Sequence, residues 1–509
     1  MNVPNTAKLN NKRSEGRSVL VGVAVLFGLA LLGLLGLLWL NGDFEGSLKE
    51  YYLLPWVFLT GAVVLAPSVY YYFRGEFNPF HPLVFAAWSY VFPAFIGGGV
   101  IVSFKLVDPY FLSFIDDPEY QYPLSLMYVA LGFVGLTLGY SLPIGRVFAE
   151  KVSPYLPKWN WKPEQIWLPG LLLLAIGIAF NALGFVQGIL GFQRSSDVNI
   201  FDGTLFFLAI VLTEGTVLLW LGIFSSKQRN GIYWIILVVL LLFLPLRMAV
   251  LGSRGSLIIG LMPIAMAYAY SGRKLRLRTG IICGVIGVVA VFIGITYGTS
   301  FRNIKGSEAR VSAGDYFGQV GATLDYLTTA DLTVIAGQSA QALADRIDNL
   351  SSLAVVVARY EKLEPYEESY GLKNNIINDA YTSFIPRVLW NEKPPTSDAR
   401  AYSDLYFNFS ENSFAISPFG DLLRNFGPIG ILLGMLLLGI YLRLIYTALI
   451  ETPNPAMWKK AAYFLLLTVI SYEGFYATMF PSVLRTVIVI GASLWLASFL
   501  VGKQTRVDS

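Results

Sequence analysis

The chain has 509 residues, of which 55% are hydrophobic and 14% charged, whereas soluble domains carry about 25% charged residues. This balance is typical of an integral membrane protein and excludes an ordinary soluble enzyme. A net charge of +4, without a basic block interleaved with aromatics, argues against nucleic acid as a partner. Cys283 is the single cysteine and His81 the single histidine, which excludes an internal disulfide and any site built from several thiolates or imidazoles.

Apolar segments recur along almost the whole chain, and about 20 apolar residues suffice to cross roughly 30 Å of hydrocarbon. We therefore expect an all-α polytopic membrane protein with about 12 transmembrane helices. The first segment is too long for the apolar region of a signal peptide, so we interpret it as a retained helix. The predicted spans are 18–40, 53–72, 82–104, 122–144, 166–190, 205–224, 233–251, 256–271, 279–298, 427–448, 458–479 and 482–501.

The charges of the connecting loops predict the orientation. Lys8, Lys12, Arg13 and Arg17 precede the first helix, and every second loop after it is basic, while most of the loops between are acidic. Because basic loops stay in the cytoplasm, both termini are predicted to be cytoplasmic.

One long connection, 299–426 between helices nine and ten, then falls on the periplasmic side. The chain is thus interpreted as a nine-helix part (1–298), a large periplasmic loop (299–426) and a three-helix part (427–509). Helix-like apolar spacing from Ala340 to Tyr360 indicates that the loop is ordered.

Six arginines are predicted at the outer ends of helices or in outer loops, against the positive-inside tendency. Guanidinium groups offer planar, bidentate donors that match phosphate oxygens. Together they predict a site for the pyrophosphate of a lipid-linked substrate; the alternative is that each one pairs with an acid or reaches lipid phosphates. They are Arg247, Arg254, Arg302, Arg387, Arg424 and Arg485.

Carboxylates are the candidate proton acceptors, since no histidine is predicted on the outer face. Glu473 is predicted near the outer end of the span 458–479, with a buried pair to Arg485 as the alternative. Asp421 precedes Arg424 by three residues, which favours an ion pair within one helix. Glu214, nearer mid-membrane, is interpreted as a structural hydrogen-bonding or ion-pairing group.

Three further features favour structural roles, and a fourth stays open. The adjacent Asp116 and Asp117 could hold a divalent cation, but a solvated loop is the preferred interpretation. His81 is predicted at the start of a helix, and Cys283 as a small core residue. Gly252 to Gly255 surround Arg254, either as an anion-binding turn or as a plain hairpin.

Three motifs, combined with many spans and a late outer loop, carry a resemblance. They are the turn Gly252 to Gly255, the stretch IPRVLWNEKP from Ile385 to Pro394, and SPFGDLLRNFGPIG from Ser417 to Gly430. The chain resembles the Wzy-type O-antigen and exopolysaccharide polymerases. That resemblance implies a metal-independent, inverting glycosyltransferase without a cofactor, acting at the periplasmic face of the bacterial inner membrane.

The resemblance also implies the substrates and roles. A growing glycan on undecaprenyl pyrophosphate would be moved onto the next lipid-linked repeat unit, with a chain-length regulator and a flippase as possible partners. The expected catalytic residues are Glu473 as proton acceptor, with Arg387 and Arg424 stabilising the departing pyrophosphate. The expected binding residues for pyrophosphate and glycan are Arg247, Arg254, Arg302, Arg485, Asn425 and Ser417.

Two other functions stay open. One is an O-antigen ligase or another glycosyltransferase that uses polyprenyl-linked sugars. The ligases rely on an outer-face histidine, whereas His81 is predicted to be cytoplasmic. The other is a flippase or exporter of lipid-linked oligosaccharides, which is not an enzyme. The concentration of polar residues on one face counts against transport.

Overall fold

The fold is helical throughout the part of the chain that the computed structural model describes. Within those residues there is no strand, which confirms the all-α prediction. The predicted first span, 18–40, lies outside the described residues. The structure describes 51–104, 109–187, 204–205, 208–227, 229–251, 256–272, 277–305, 313–385, 389–390, 393, 397–410, 413–452 and 454–507.

Seventeen of the described helices organise the molecule and are numbered here in chain order. The second has wide π-helical turns over Ala87–Gly97 around Pro93. The helices are α1 Leu54–Arg74, α2 Pro82–Ser103, α3 Pro118–Ser141, α4 Pro143–Val152, α5 Trp167–Val186, α6 Ile210–Ser225, α7 Gly231–Leu251, α8 Ser256–Tyr270, α9 Leu277–Lys305, α10 Ala313–Thr329, α11 Leu332–Ile347, α12 Asn349–Leu363, α13 Asn375–Thr382, α14 Ala399–Phe407, α15 Ser417–Leu449, α16 Met457–Thr468 and α17 Tyr476–Val507.

Seven of the described helices are long and apolar enough to cross a membrane: α1, α2, α3, α5, α9, α15 and α17. Each coincides with a span expected from the sequence. Helices α6, α7 and α8 are apolar too, but their apolar stretches are shorter. The expected total of about 12 spans and the assignment of loops to two sides of the membrane stay predictions.

The predicted span 458–479 is not one helix. Helix α16 ends at Thr468, the chain is irregular through Phe475, and α17 begins at Tyr476. The backbone N–H of Ala477, in the first turn of α17, donates to Asp421 Oδ2 at 3.0 Å. A side chain from α15 thus satisfies an amide that has no partner within its own helix. Apolar composition alone does not reveal such a break.

Helices α3 and α15 pack with their backbones almost in contact. A Cβ added at Gly135 would lie 2.6 Å from Leu432 O, so no larger side chain fits there without a shift. Gly139 on α3 and Gly439 on α15 meet the opposite backbone at least as closely. Small residues are the usual means of bringing membrane helices this close. This packing holds the middle of α15 against α3.

The long connection between α9 and α15 is mostly helical, as the sequence predicted for Ala340 to Tyr360. The predicted stretch is divided between α11 and α12 at Asp348, whose side chain caps α12 by accepting from Ser351 N at 3.0 Å. Helix α12 is buried from Asn349 to Val357 and belongs to the main hydrophobic core. The division into parts at 298/299 and 426/427 stays an interpretation, although one core includes residues from all three.

Cys283 is exposed on α9, which corrects its expected place in the core. Its neighbours Ile282 and Val285 are exposed as well. This side of α9 faces away from the bundle, where a membrane helix keeps apolar side chains because its surroundings are lipid.

Candidate functional site

The candidate site begins at a break in α15. Gly427 has φ 67° and ψ −168°, a conformation open almost only to glycine, and Pro428 disfavours a helical residue before it. Residues 417–426 therefore form a short helix of their own, named here the entry helix, and the apolar span follows from Pro428. Its position agrees with the span expected to begin at residue 427. A Cβ at Gly434 would collide with Leu422, so the entry helix folds back onto the span.

The entry helix carries Arg424, whose side chain is 0% exposed. Its guanidinium pairs with Glu367 Oε1 at 2.9 Å and with Asp421 Oδ1 at 2.8 Å, and it donates to Leu372 O at 3.0 Å. The predicted Asp421–Arg424 ion pair is confirmed. This arrangement does not allow the expected contact of Arg424 with a pyrophosphate. The guanidinium is completely buried and already pairs with two carboxylates.

Two asparagines extend this buried network. Arg424 Nη2 donates to Asn375 Oδ1 at 2.6 Å, and Asn375 Nδ2 donates to Asp421 Oδ1 at 3.2 Å. Asn425, a predicted binding residue, donates from Nδ2 to Asn375 Oδ1 at 2.8 Å. Its Oδ1 is buried without a hydrogen-bond partner among the described residues. Asn425 therefore faces the network rather than open solvent.

Glu367 connects the network to α14. Tyr406 donates its hydroxyl hydrogen to Glu367 Oε1 at 2.8 Å. Burial, and then the charge of Glu367, raise the pKa of Tyr406, so the phenol stays a neutral donor. Because Asp421 also caps α17, the network joins three separate parts of the chain: the long connection, the entry helix and the start of α17.

Sequence reasoning missed Glu367 and Asn375. Glu367 stands beside Glu368, which is exposed and pairs weakly with Lys373 at 3.4 Å, and nothing in the local sequence separates the two acids. The only available signal was indirect: an arginine in an apolar helix start needs a buried acid. Asp421 supplies one such acid within the same helix, so the local sequence gives no reason to expect a second.

Arg485 lies beside another acid. Ser397 accepts from Asn375 Nδ2 at 2.9 Å and donates to Asp379 Oδ2 at 2.7 Å. The charge of Asp379 acts on the half-buried Arg485. The polar chain that starts at Arg424 therefore continues to Asp379, within electrostatic reach of a second arginine of the predicted set.

Ser417 and Glu473 meet at the start of the entry helix. Ser417 is buried with φ 59°; its Oγ accepts from Gly420 N at 3.3 Å and its N–H donates to Glu473 O at 3.4 Å. Ser417, expected to bind substrate, is therefore placed as a helix cap. Glu473 is exposed in the irregular stretch before α17, which corrects its expected place inside a helix; its pairing with Arg485 stays an alternative.

The remaining arginines are only partly placed. Arg302 lies half-buried in the last turn of α9. Arg247 is half-buried near the end of α7, and its Nε has no hydrogen-bond partner among the described residues. Arg254 and Arg387 lie outside the described residues.

An apolar groove of about 240 Å³ opens between α9, α10 and α11. Arg302 follows Tyr297 on α9 by five residues, roughly 7.5 Å along the helix axis. A groove of this apolar composition accommodates a hydrocarbon chain. Arg302 is a cation further along α9. It is lined by Phe292, Ile293, Thr296, Tyr297, Leu324, Leu327 and Ile335.

The acidic pair before α3 has structural partners. Lys362 Nζ lies 2.5 Å from Asp116 Oδ2, and this hydrogen bond lowers the pKa of Asp116. Asp117 caps α3 by accepting from Tyr120 N at 3.3 Å. In the part of the chain that is described, no group of three or more His, Cys, Asp or Glu side chains could hold a metal ion.

His81 is buried directly before α2. One of its ring nitrogens, Nε2, lies 2.9 Å from the Tyr140 hydroxyl. Burial lowers the pKa of His81 to about 3, with a further contribution from Arg443, so the ring is neutral at physiological pH. The predicted structural role agrees with this environment.

These features define a helical membrane protein whose charged side chains meet at a broken helix. The chain belongs to the family described as Domain of unknown function (DUF8712), which matches residues 171–451, more than half of the chain. The match includes Glu367, Asn375, Asp421 and Arg424 and ends before Glu473. No curated protein matches the chain. No solved structure matches it.

Proposed function

We propose that this protein is a glycosyltransferase that polymerises undecaprenyl-pyrophosphate-linked oligosaccharide repeat units at the periplasmic face of the bacterial inner membrane. Its product is an O-antigen or exopolysaccharide. The three sequence motifs suggest the reaction. The structural observation that best supports a lipid-linked substrate is the apolar groove between α9, α10 and α11.

The groove suits the lipid part of such a substrate. Phe292, Ile293 and Leu324 are lining side chains that are also exposed, so the groove offers an apolar surface to a hydrocarbon chain. In this proposal Arg302, which follows the groove residue Tyr297 by five positions on α9, binds the head group of that chain. In this proposal Arg247, Arg254, Arg387 and Arg485 supply further donors to the two phosphates.

The proposed reaction is a displacement at the anomeric carbon of the donor. The acceptor hydroxyl oxygen forms the new glycosidic bond, the bond to the pyrophosphate oxygen breaks, and the carrier leaves with the bonding electron pair. Glu473, which is exposed, accepts the proton of the acceptor hydroxyl. The arginines stabilise the charge that develops on the departing pyrophosphate.

Arg424 acts differently in this scheme from what its sequence position suggests. It fixes the entry helix against Glu367 and the start of α17, and thereby holds the backbone around Glu473, whose carbonyl accepts from Ser417 N. It is a positioning residue and does not contact substrate.

A deletion strain tests the proposed reaction. Loss of a polymerase leaves single repeat units on the lipid carrier or on the final acceptor. Units trapped on the cytoplasmic side would instead indicate a flippase, and full-length polymer retained on the carrier would indicate a ligase. Either of these two outcomes contradicts polymerisation.

Complementation with Arg302→Ala tests the supporting observation. Shorter or absent polymer is expected at normal protein level in the membrane. Arg146→Ala is the matched control, because Arg146 is exposed and pairs with Glu150 one turn away. Equal polymer length in the two variants would contradict a role for Arg302.

A further inference from the structure

Glu214 is a carboxyl group buried in the helical bundle, and the scheme above does not use it. It lies in the apolar helix α6 and is 0% exposed. Its Oε2 is in very short hydrogen-bond contact with Ser493 Oγ of α17. Its Oε1 is buried with no hydrogen-bond partner among the described residues. Ionisable residues in such positions are functional candidates by default.

No described charged side chain compensates this carboxyl. Helix α5, which packs closely on α6, has no acidic or basic residue. Lys459 and Lys460 on α16 bond to backbone carbonyls instead, and Arg485 precedes Ser493 by eight residues, roughly 12 Å along α17. The other titratable or charged residues on elements packed against α6 are Glu164, Tyr233, Arg247, Tyr268, Tyr270, Tyr463, Tyr476, Lys503 and Arg506.

The hydrogen atoms can be counted. Ser493 has one hydroxyl hydrogen and three acceptors within reach: Glu214 Oε2, Val489 O at 2.9 Å and Ile490 O at 3.1 Å. An ionised Glu214 would take that hydrogen and still leave Oε1 buried without a donor or a counter-charge, which is costly. A protonated Glu214 donates to Ser493 Oγ, which then donates to Val489 O. Only the protonated form leaves no charge uncompensated.

We propose that Glu214, supported by Ser493, is a proton-binding site within the membrane bundle. The ligand is a hydrogen ion. On release the O–H bond breaks, the proton passes to water, and the Ser493 hydroxyl turns to donate to the carboxylate. The inference is independent of the proposed glycosyltransferase activity.

Infrared spectroscopy of the purified full-length protein tests the protonation state. At neutral pH the wild type is expected to show the carbonyl band of a protonated carboxylic acid, which Glu214→Gln lacks and Ser493→Ala shifts. Glu150→Gln is the control: Glu150 is an exposed carboxyl that pairs with Arg146 on the same helix, so its loss should leave the band unchanged. A wild-type spectrum without the band, or a band that survives Glu214→Gln, would overturn the proposal.

Carbodiimide labelling tests the protonation of Glu214 in the wild-type protein, so it does not depend on the folding of the variants. A hydrophobic carbodiimide adds to protonated carboxyl groups and does not react with carboxylates. Mass spectrometry should find the adduct on Glu214, decreasing as pH rises, and none on Glu367. Labelling of Glu367 with Glu214 unmodified would contradict the proton assignment.

Discussion

At the residue scale, the structure changes what Arg424 is expected to do. A guanidinium placed between Glu367 and Asp421 with no exposed surface is a buried ion cluster. In such clusters the loss of one partner leaves a charge uncompensated. The sequence predicted that Arg424 would stabilise the departing pyrophosphate, and the geometry revises that expectation.

We expect Arg424→Lys and Glu367→Gln to destabilise the folded protein. A lysine ammonium cannot span both carboxylates, and removing one partner of a buried pair costs about 3–5 kcal/mol. Thermal unfolding in detergent should show clearly lower midpoints for both. Arg146→Lys is the control, because its pair with Glu150 is largely exposed and its loss costs at most about 1 kcal/mol. Midpoints equal to that of the control would exclude a structural role for the cluster.

His81 is the single histidine of the chain, so a histidine effect on the pH dependence of stability can be assigned to it. Its pKa falls from 6.5 to about 3 on burial, so between these values the unfolded chain binds a proton that the folded protein does not. Stability is therefore greatest above pH 6.5 and decreases as pH falls, by about 2 kcal/mol at pH 5.

The measurement is the difference in unfolding midpoint between pH 7 and pH 5, for wild type and for His81→Gln. This difference should be smaller for His81→Gln than for the wild type, whatever the stability of the variant itself. An unchanged difference would show that His81 is not buried in the neutral form.

At the element scale, the break at Gly427 separates the entry helix from the span. The motif FGPIG contains its causes, a glycine with positive φ followed by proline; the start of the span at residue 427 was predicted from its apolar composition. The second break, before α17, was not predicted. Its determinant is Asp421, which is distant in sequence and caps the new helix at Ala477, so no local pattern around Glu473 could show it.

Gly427→Ala should destabilise the protein by about 1–3 kcal/mol, because a Cβ is strained at φ 67° and ψ −168° even though nothing obstructs it. Gly491→Ala is the matched control: this position also has free space and lies within α17, where alanine is tolerated. Unfolding midpoints report both. A loss at Gly491 as large as that at Gly427 would show that backbone strain is not the cause.

At the scale of the whole molecule, the sequence predicted an all-helical membrane protein and seven of its described spans. Apolar runs determine such elements locally, which is why they are predictable. The network of Arg424, Glu367 and Asn375 depends on contacts between residues about 50 positions apart in the sequence. No local sequence pattern predicts burial of that kind. The position of Cys283 could not be predicted either, because apolar neighbours on α9 are as typical of a lipid-facing side as of a core.

The groove between α9, α10 and α11 could not have been predicted either. Its lining residues belong to three helices, and two of those helices lie in what the sequence suggested was a single loop. Arg302 was singled out by orientation and charge, but only the packing of α10 and α11 places an apolar groove before it.

The central claim is that this protein joins lipid-linked repeat units. The most direct test is reconstitution of the purified full-length protein in liposomes with lipid-linked single units extracted from the deletion strain. Wild type is expected to yield a ladder of polymers on the lipid carrier, Arg302→Ala at least a ten-fold lower rate, and Arg146→Ala the wild-type rate. Single units that remain unextended, or that are only moved across the membrane by the wild type, would contradict the account.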